Sequence, residues 1–320
     1  MKQFYAAYLK TNEEITDFFA VKMIAVKLGS NRKQYLDLLL GDNSGEITAK
    51  KWDVPDSELP ALNAINEGDI VKLKATVTEW NGLRQLRVAR LRKAVPQDGV
   101  DRRDFIKAAP EEPESMYGYI MEAALEIEDG DLRGMAVRML EDNRERLMYY
   151  PAAAKNHHAE MGGLLYHMKR MLMMGRQHCE VYGNLNRSLV LAGVIAHDIA
   201  KLDEMISDSD GVVSSYSFEG QLLGHIVQGI KAVDRLAGEL GVPHEKAIML
   251  EHMILSHHYE PDFGSPKKPL FPEAELLHYL DIVDARMYDM EEALKGVDKG
   301  GFSEKVRTLD FRKLYKPETL

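Results

Sequence analysis

The stretch Leu191-Ala192-Gly193-Val194-Ile195-Ala196-His197-Asp198-Ile199-Ala200-Lys201 closes an apolar run on an adjacent imidazole and carboxylate. An ionised carboxylate in that position needs a partner, because burying an unpaired charge is costly. Together His197 and Asp198 offer a metal ion one nitrogen and one oxygen from a single rigid point. The C-terminal half supplies more donors of the same kinds at helical spacings: His167, His225, His257, His258, Asp281 and Asp284. His167, the His197–Asp198 pair and Asp281 fall in three separate helical segments, so four ligands would pin three helices around one ion. His225, His257 and His258 can serve a second ion, with the Asp198 carboxylate shared. Asp281 and Asp284 are one helical turn apart, so both can face the site. Two divalent metal ions about 3.5–4 Å apart clamp the attacking and leaving oxygens of a displacement at phosphorus and acidify bound water. The ordered series therefore predicts a metal-dependent phosphohydrolase.

Two lysines extend this reading. Lys201 lies one helical turn after Asp198, where its ammonium can reach a phosphate oxygen. Catalytic roles are thus expected for Asp198 and Lys201, the alternative for Lys201 being an ion pair with Asp203 or Glu204. Lys267, in the loop that follows His258, is a candidate holder of a second phosphate. Gly162-Gly163 ahead of His167 suggests close helix packing or backbone approach. His157, His158, His252 and His278 read as structural or supporting residues, and His178 and His244 as surface residues.

Outward from this core the periodicity changes. Residues 116–127, 132–147, 161–181, 187–201, 218–240, 244–258 and 272–294 read as helices. Residues 207–217 read as a loop or short hairpin. Residues 1–95 instead alternate with period two, predicting strands at 21–28, 34–41, 46–52, 71–78 and 86–91. Asn81-Gly82 marks a hairpin turn. Residues 57–66, capped by Ser57, predict a helix between the third and fourth strands, which is the order of an OB-fold barrel. The expected fold is two-domain: an all-β OB-fold barrel over residues 1–95 and an all-α domain over 116–295. A Pro- and Gly-bearing linker over 96–115 joins them, and a loosely attached tail covers 296–320.

The composition narrows the classes. The chain has 320 residues, 45% of them hydrophobic, and a formal net charge of −10. Cys179 is the single cysteine, which excludes an internal disulfide framework and a thiolate metal site. No apolar run approaches the roughly 18 residues of a membrane span, and Met1-Lys2-Gln3-Phe4-Tyr5 has no signal-peptide layout. No membrane partner and a reducing cytoplasmic setting are expected. Residues 21–95 carry 13 Lys and Arg against 9 Asp and Glu, a balance of +4 inside an acidic chain, as suits a module that binds polyanions. On the strand alternation Tyr35 and Trp52 project opposite the Leu36/Leu38/Leu40 face, with Lys50 beside them and Arg84 and Arg87 in the last strand. Bases stack on such aromatics while the cations neutralise phosphate. The alternatives are Trp52 as a plug at the barrel's end and the arginines as a solvated edge.

Longer strings carry a resemblance. The order His, His-Asp, His, His-His, Asp resembles that of the HD phosphohydrolase superfamily. His157-His158-Ala159 with Gly162-Gly163-Leu164-Leu165-Tyr166-His167, then Glu219-Gly220-Gln221-Leu222-Leu223-Gly224-His225-Ile226, are similar to the YhaM-type 3′→5′ exoribonuclease family. So are His252-Met253-Ile254-Leu255-Ser256-His257-His258 and Leu277-His278-Tyr279-Leu280-Asp281. The resemblance spans about residues 15–295, with Ala200 standing where many such proteins carry Gly. It implies an exonuclease on single-stranded RNA or DNA that favours manganese (Mn2+), with Fe2+, Co2+ or Mg2+ as alternatives, and assembly into a homo-oligomer. Two other functions fit the residues: an HD-type nucleotide or cyclic-dinucleotide phosphohydrolase, and a non-catalytic single-strand-binding protein.

Overall fold

The computed structural model describes residues 2–29, 33–52, 54–55, 58–80, 82–101, 104–154 and 158–319. Ser57, Asn81 and His157, each given a place above, lie outside them. The chain divides into two compact units, Met1–Lys107 and Ala108–Leu320.

The first unit is a closed five-stranded barrel built from β1 (Glu14–Leu28), β2 (Gln34–Asp42), β3 (Gly45–Lys51), β4 (Ile70–Trp80) and β5 (Leu83–Lys93), in the order β1-β2-β3-β5-β4. A parallel β3–β5 pairing and an antiparallel β1–β4 pairing close it. The alternating apolar sets Leu36, Leu38, Leu40 and Val71, Leu73, Ala75, Val77 are all buried, and so are Leu86 and Val88 of the last strand. β1 starts seven residues before the expected strand. Its first half pairs with β4 and its second half with β2, around a bulge between Val21 and Met23. The early half hides its strand character because Asp17, Phe18, Phe19, Ala20 and Val21 are buried in succession, which erases the period-two signal. The predicted helix after β3 is one turn, α1 (Leu59–Leu62).

A segment ahead of β1 also packs onto the barrel. Lys2 Nζ donates to Phe18 O at 2.6 Å, pairs with Asp42 Oδ2 at 3.1 Å and lies 3.8 Å from the Phe19 ring centre. Asp17 Oδ2 accepts from the backbone N–H groups of Gln3 and Phe4 at 2.7 and 2.6 Å, and Asp42 Oδ2 from that of Ala6 at 2.8 Å.

The second unit is helical: α2 (Pro113–Leu125), α3 (Gly130–Asp142), α4 (Arg144–Leu147), α5 (Gly163–Val181), α6 (Arg187–Ala196), α7 (Lys201–Glu204), α8 (Phe218–Leu240), α9 (His244–Ser256) and α10 (Pro272–Lys295). A short hairpin, β6 (Met205–Ser207) with β7 (Val213–Tyr216), separates α7 from α8. Ser188 to Ala196 of α6 are all buried, so this helix is the axis around which α3, α5, α9 and α10 pack. The expected helix 187–201 stops at Ala196, and residues 197–200 are a turn. The segment after α10 is tied down, contrary to expectation. Leu309 is buried, Phe302 bridges Tyr315, and Arg286 of α10 binds Asp310 at 2.9 Å. Its glycines and charges, read as looseness, serve turns and these ion pairs.

The buried Lys2–Asp42 pair yields a stability prediction. Asp42→Ala leaves an uncompensated ammonium inside the barrel and is expected to cost roughly 3–5 kcal/mol in urea unfolding of the full chain. Lys2→Met combined with Asp42→Leu, which removes both charges, is expected to recover part of that loss, the Ala6 N–H being left without its carboxylate acceptor.

Candidate metal centre

Five imidazoles converge because each Nδ1 is committed elsewhere. His197 caps the C-terminus of α6 and His257 that of α9. Nδ1 of His197 donates to Val194 O, and that of His257 to Ile254 O, both at 2.8 Å. His258 Nδ1 donates to Phe263 O at 2.6 Å. A carbonyl only accepts, so in these rings Nδ1 carries the proton and Nε2 the lone pair. His225 follows a kink in α8 at Gly224 (φ 67°), a left-handed conformation that glycine tolerates. The kink brings its backbone N–H within 3.1 Å and its Nδ1 within 3.2 Å of the Glu204 carboxylate. His167 Nδ1 lies 2.7 Å from Asp284 Oδ2.

Asp198 stands at the centre. Its Oδ2 is 3.3 Å from His197 Nε2, 3.8 Å from His167 Nε2 and 2.7 Å from Lys201 Nζ. Its Oδ1 is 3.6 Å from His225 Nε2 and 3.9 Å from His257 Nε2. Asp281 Oδ1 completes the first side at 3.4 Å from His167 Nε2. Among the described residues three trios bring a donor atom of each member within 4.8 Å of the others: His167, His197 and Asp198; His225, His257 and His258; and, behind His167, His158, His167 and Asp284. The first two flank Asp198. Asp198 thus faces one group with each oxygen.

The donor set fits divalent cations. Among the described residues His197 Nε2, His225 Nε2, His257 Nε2 and Asp198 Oδ1 are buried without a hydrogen bond. Leaving one buried polar atom unsatisfied costs about 1–3 kcal/mol, and cations held on the two sides of Asp198 would satisfy them. The C-termini of α6 and α9 also bring their negative dipole ends to the same place, which favours positive charge.

The titration directions agree. Burial, then the neighbouring His258 and His197 rings, hold His257 well below the usual imidazole range, and burial lowers His258 as well. Both are therefore neutral, the ligating form. Burial opposes ionisation of Asp198, but Lys201 and His197 outweigh it and keep the carboxyl far below the usual carboxylate range. Asp281 is shifted the same way, its burial overcome by His167. His167 moves upward: burial disfavours its charge, yet its bonds to Asp281 and Asp284 push it up to about 9.

Asp284, expected among the ligands, lies on the far side of His167. Its Oδ2 is 2.7 Å from both His158 Nε2 and His167 Nδ1, and its Oδ1 is 2.6 Å from Arg170 Nε. The one-turn spacing from Asp281 does bring both carboxylates to His167, but onto opposite nitrogens. Behind them Tyr288 Oη donates to Glu160 Oε2 at 2.8 Å, and the His158 and Tyr288 rings are 4.0 Å apart. A Cβ on Gly163 would sit 2.1 Å from His158 O, the close backbone approach that the paired glycines suggested. Sequence reading missed supporting roles for Glu204, Glu160, Arg170 and Tyr288. Arg170 had a usable signal, since it follows His167 by three residues on one helix face. Glu160 and Tyr288 had none.

On the barrel, Tyr35 and Trp52 stack with ring centres 4.5 Å apart, and Lys50 Nζ lies 5.7 and 5.6 Å from them. Trp52 is 44% exposed, so it is no plug. Arg87 is exposed and pairs in register with Lys50. Arg84 is differently employed: its guanidinium donates to the carbonyls of Ala7 and Leu9 at 3.2 and 2.6 Å, because it shares the inward parity of Leu86 and Val88. Lys267 is exposed in the loop after His258.

His167 makes metal uptake pH-dependent. With its pKa raised to about 9, a cation that takes Nε2 must displace a proton. Apparent affinity is expected to rise about tenfold per pH unit between pH 6 and 8, flattening near 9. Calorimetric titrations of Mn2+ in buffers of different ionisation enthalpy should show about one proton released at pH 7.

A family model for the HD domain matches residues 164–286, the span that holds His167, His197, Asp198, His225, His257, His258, Asp281 and Asp284. The chain is 35% identical over 311 residues to the 3′-5′ exoribonuclease YhaM of Halalkalibacterium halodurans, covering 97% of this chain and 95% of that protein. It is 37% identical to the YhaM of Oceanobacillus iheyensis, over 97% of this chain and 96% of the relative. For the YhaM of Shouchella clausii the identity is 36%, over 96% of this chain and 95% of the relative. Since this similarity runs through barrel and helices alike, the chain belongs to the YhaM family of 3′-5′ exoribonucleases.

Proposed function

We propose that this protein is a metal-dependent 3′-5′ exonuclease that removes nucleoside monophosphates from the 3′ end of single-stranded RNA, and of DNA by the same chemistry. The observation that carries the reading is the set of buried, unsatisfied donor atoms around Asp198. His167, His197, Asp198 and Asp281 would hold one ion and His225, His257 and His258 a second, with Asp198 contributing to both. The mixed imidazole and carboxylate donors suit Mn2+, with Fe2+, Co2+ or Mg2+ as further candidates. Such ions supply Lewis acidity at phosphorus and a water made acidic enough to attack near neutral pH.

The chain's own residues do the rest. Asp198 stays ionised between its histidine neighbours and keeps Lys201 charged beside it. Burial would lower the Lys201 pKa, but Asp198 reverses this and raises it. The Lys201 side chain is 12% exposed, which leaves its ammonium able to meet the charge that grows on the phosphoryl oxygens as the P–O bond to the departing 3′ oxygen breaks. Asp284 holds the His167 ring from behind, and Glu204 holds His225. On the barrel the Tyr35–Trp52 platform with Lys50 and Arg87 takes up the strand by stacking and phosphate neutralisation.

Among the described residues no helix is long and apolar enough to cross a membrane. A cytoplasmic location and a homo-oligomeric assembly belong to the same reading, and sedimentation of the purified chain measures the latter. The domain division at residues 96–115 is part of it too, with strand binding assigned to the barrel and hydrolysis to the helices.

Two variants test the roles. Asp198→Asn is expected to lose roughly 10³-fold or more in turnover on a 3′-labelled oligonucleotide while strand binding survives. Full activity in that variant overturns the assignment. Lys201→Ala is expected to lower kcat by about 10²-fold with Mn2+ affinity retained, as read by calorimetry. Release from free nucleotides matching that from oligonucleotides would favour a small-molecule phosphohydrolase instead.

A further inference from the structure

The stacking platform carries little of the barrel's charge. Residues 70–93, the β4–β5 hairpin, hold seven Lys and Arg and a single acid, Glu79, a balance of +6. The rest of residues 21–95 holds six Lys and Arg against eight acids, a balance of −2. The positive character of the module therefore resides in one hairpin. Cross-strand register sets its cations in pairs: Lys72 opposite Arg92, Lys74 opposite Arg90, and Arg87 opposite Thr76 on one side and Lys50 on the other.

These pairs border a groove of about 530 Å³ between the hairpin, β1 and α1, with Leu62, Leu73 and Leu91 among its lining residues. Among the described residues the one acid lining it, Glu58, is bound by Lys51 at 2.9 Å, so it does not cancel the rim. Arg92 is held by Asp98 through two bonds of 2.7 Å. Lys74 lies 3.9 Å from Glu14, while Arg90 and Lys72 form no ion pair among the described residues; the Lys72 ammonium lies 4.9 Å from the Phe18 ring. Two of the four rim cations, Lys72 and Arg90, are thus left without an ion-pair partner among the described residues, and such charges attract a polyanion. No exposed aromatic pair lines it, so it suits phosphates more than bases.

We infer that this groove is a second anchoring site, which holds backbone phosphates of a single strand whose bases stack on Tyr35 and Trp52. It rests on the proposed nucleic-acid substrate and adds a path for it. β5 connects the two places: Arg87 lies beside Lys50, and the Lys74 and Lys72 rows follow roughly 7 and 13 Å further along β4 at the rise of an extended strand. The strand would run along the hairpin from the platform to the groove, crossing Arg87, Arg90 and Lys72.

The test is the salt dependence of binding. Full-length protein binds a fluorescein-labelled oligouridylate in EDTA, which stops hydrolysis, and anisotropy is read across a salt series. Each phosphate contact to a single strand contributes about 0.7 to the slope of log affinity against log salt. Lys72→Gln with Arg90→Gln is expected to reduce the slope by about 1.4 and weaken binding several-fold at low salt. Lys72→Arg with Arg90→Lys should keep the parent slope. Tyr35→Ala with Trp52→Ala should weaken binding roughly 5-fold or more at unchanged slope. An unaltered slope in the glutamine pair overturns the groove, even if the stacking variants behave as expected and the enzyme degrades RNA. Absence of hydrolysis of any oligonucleotide with metal present is a separate failure, that of the proposed function. Should the glutamine pair not fold, photocrosslinking of 4-thiouridine strands to the unaltered protein decides. Crosslinked peptides containing Lys72 or Arg90 support the groove, and crosslinks confined to the segments of Tyr35 and Trp52 overturn it.

Discussion

A single buried carboxylate organises the helical unit. Asp198 is fully enclosed, yet its two oxygens face two histidine groups and its charge is balanced by one lysine a turn away. Placing an ion there demands compensation on every side. That demand explains the surroundings: an apolar α6 to bring the pair inside, two helix C-termini aimed at the same point, and histidines held with Nε2 inward. Had any of the Nδ1 atoms lacked its carbonyl or carboxylate, the ring could turn or change tautomer and the lone pair would be lost from the site.

The supports are not equivalent. His197, His257 and His258 are fixed by backbone carbonyls, so helix ends and a loop set their orientation at no cost in extra residues. His167 and His225 sit within helical segments, where backbone carbonyls are already used, and each needs a carboxylate, Asp284 or Glu204. Asp284 in turn requires His158 and Arg170. The outer layer of polar residues therefore exists because two ligands come from within helices. Second-layer groups of this kind set ring orientation and basicity at metal sites.

In the barrel the division of labour is between shape and charge. The stacked Tyr35–Trp52 pair lies on β2 and just after β3, and cationic charge is concentrated on β4 and β5, the two joined by the parallel β3–β5 pairing that closes the sheet. Closure brings Lys50 beside Arg87, residues far apart in sequence, and so makes one continuous face of two unlike halves.

Much of this was legible along the chain. Period-two alternation located four of the strands and their inward residues, because one face of each is buried and the other wet. Period 3.6 located the long helices, and the His-Asp pair after an apolar run marked the centre, because a charge so placed cannot be buried alone. Convergence was not legible. Whether Asp284 met the metal side of His167 or its back depended on which flank α10 presents to α5, and spacing of one turn is the same for both. The roles of Glu160, Glu204 and Tyr288 rest on contacts between distant segments, and Arg84 looked like any strand cation until the fold set it against Ala7 and Leu9. Local chemistry and periodicity belong to neighbours in sequence, so the chain alone determined which residues could ligate and which elements carry them. The tertiary structure decided which atom of each side chain is left to face the cavity, because that follows from hydrogen bonds made across the fold.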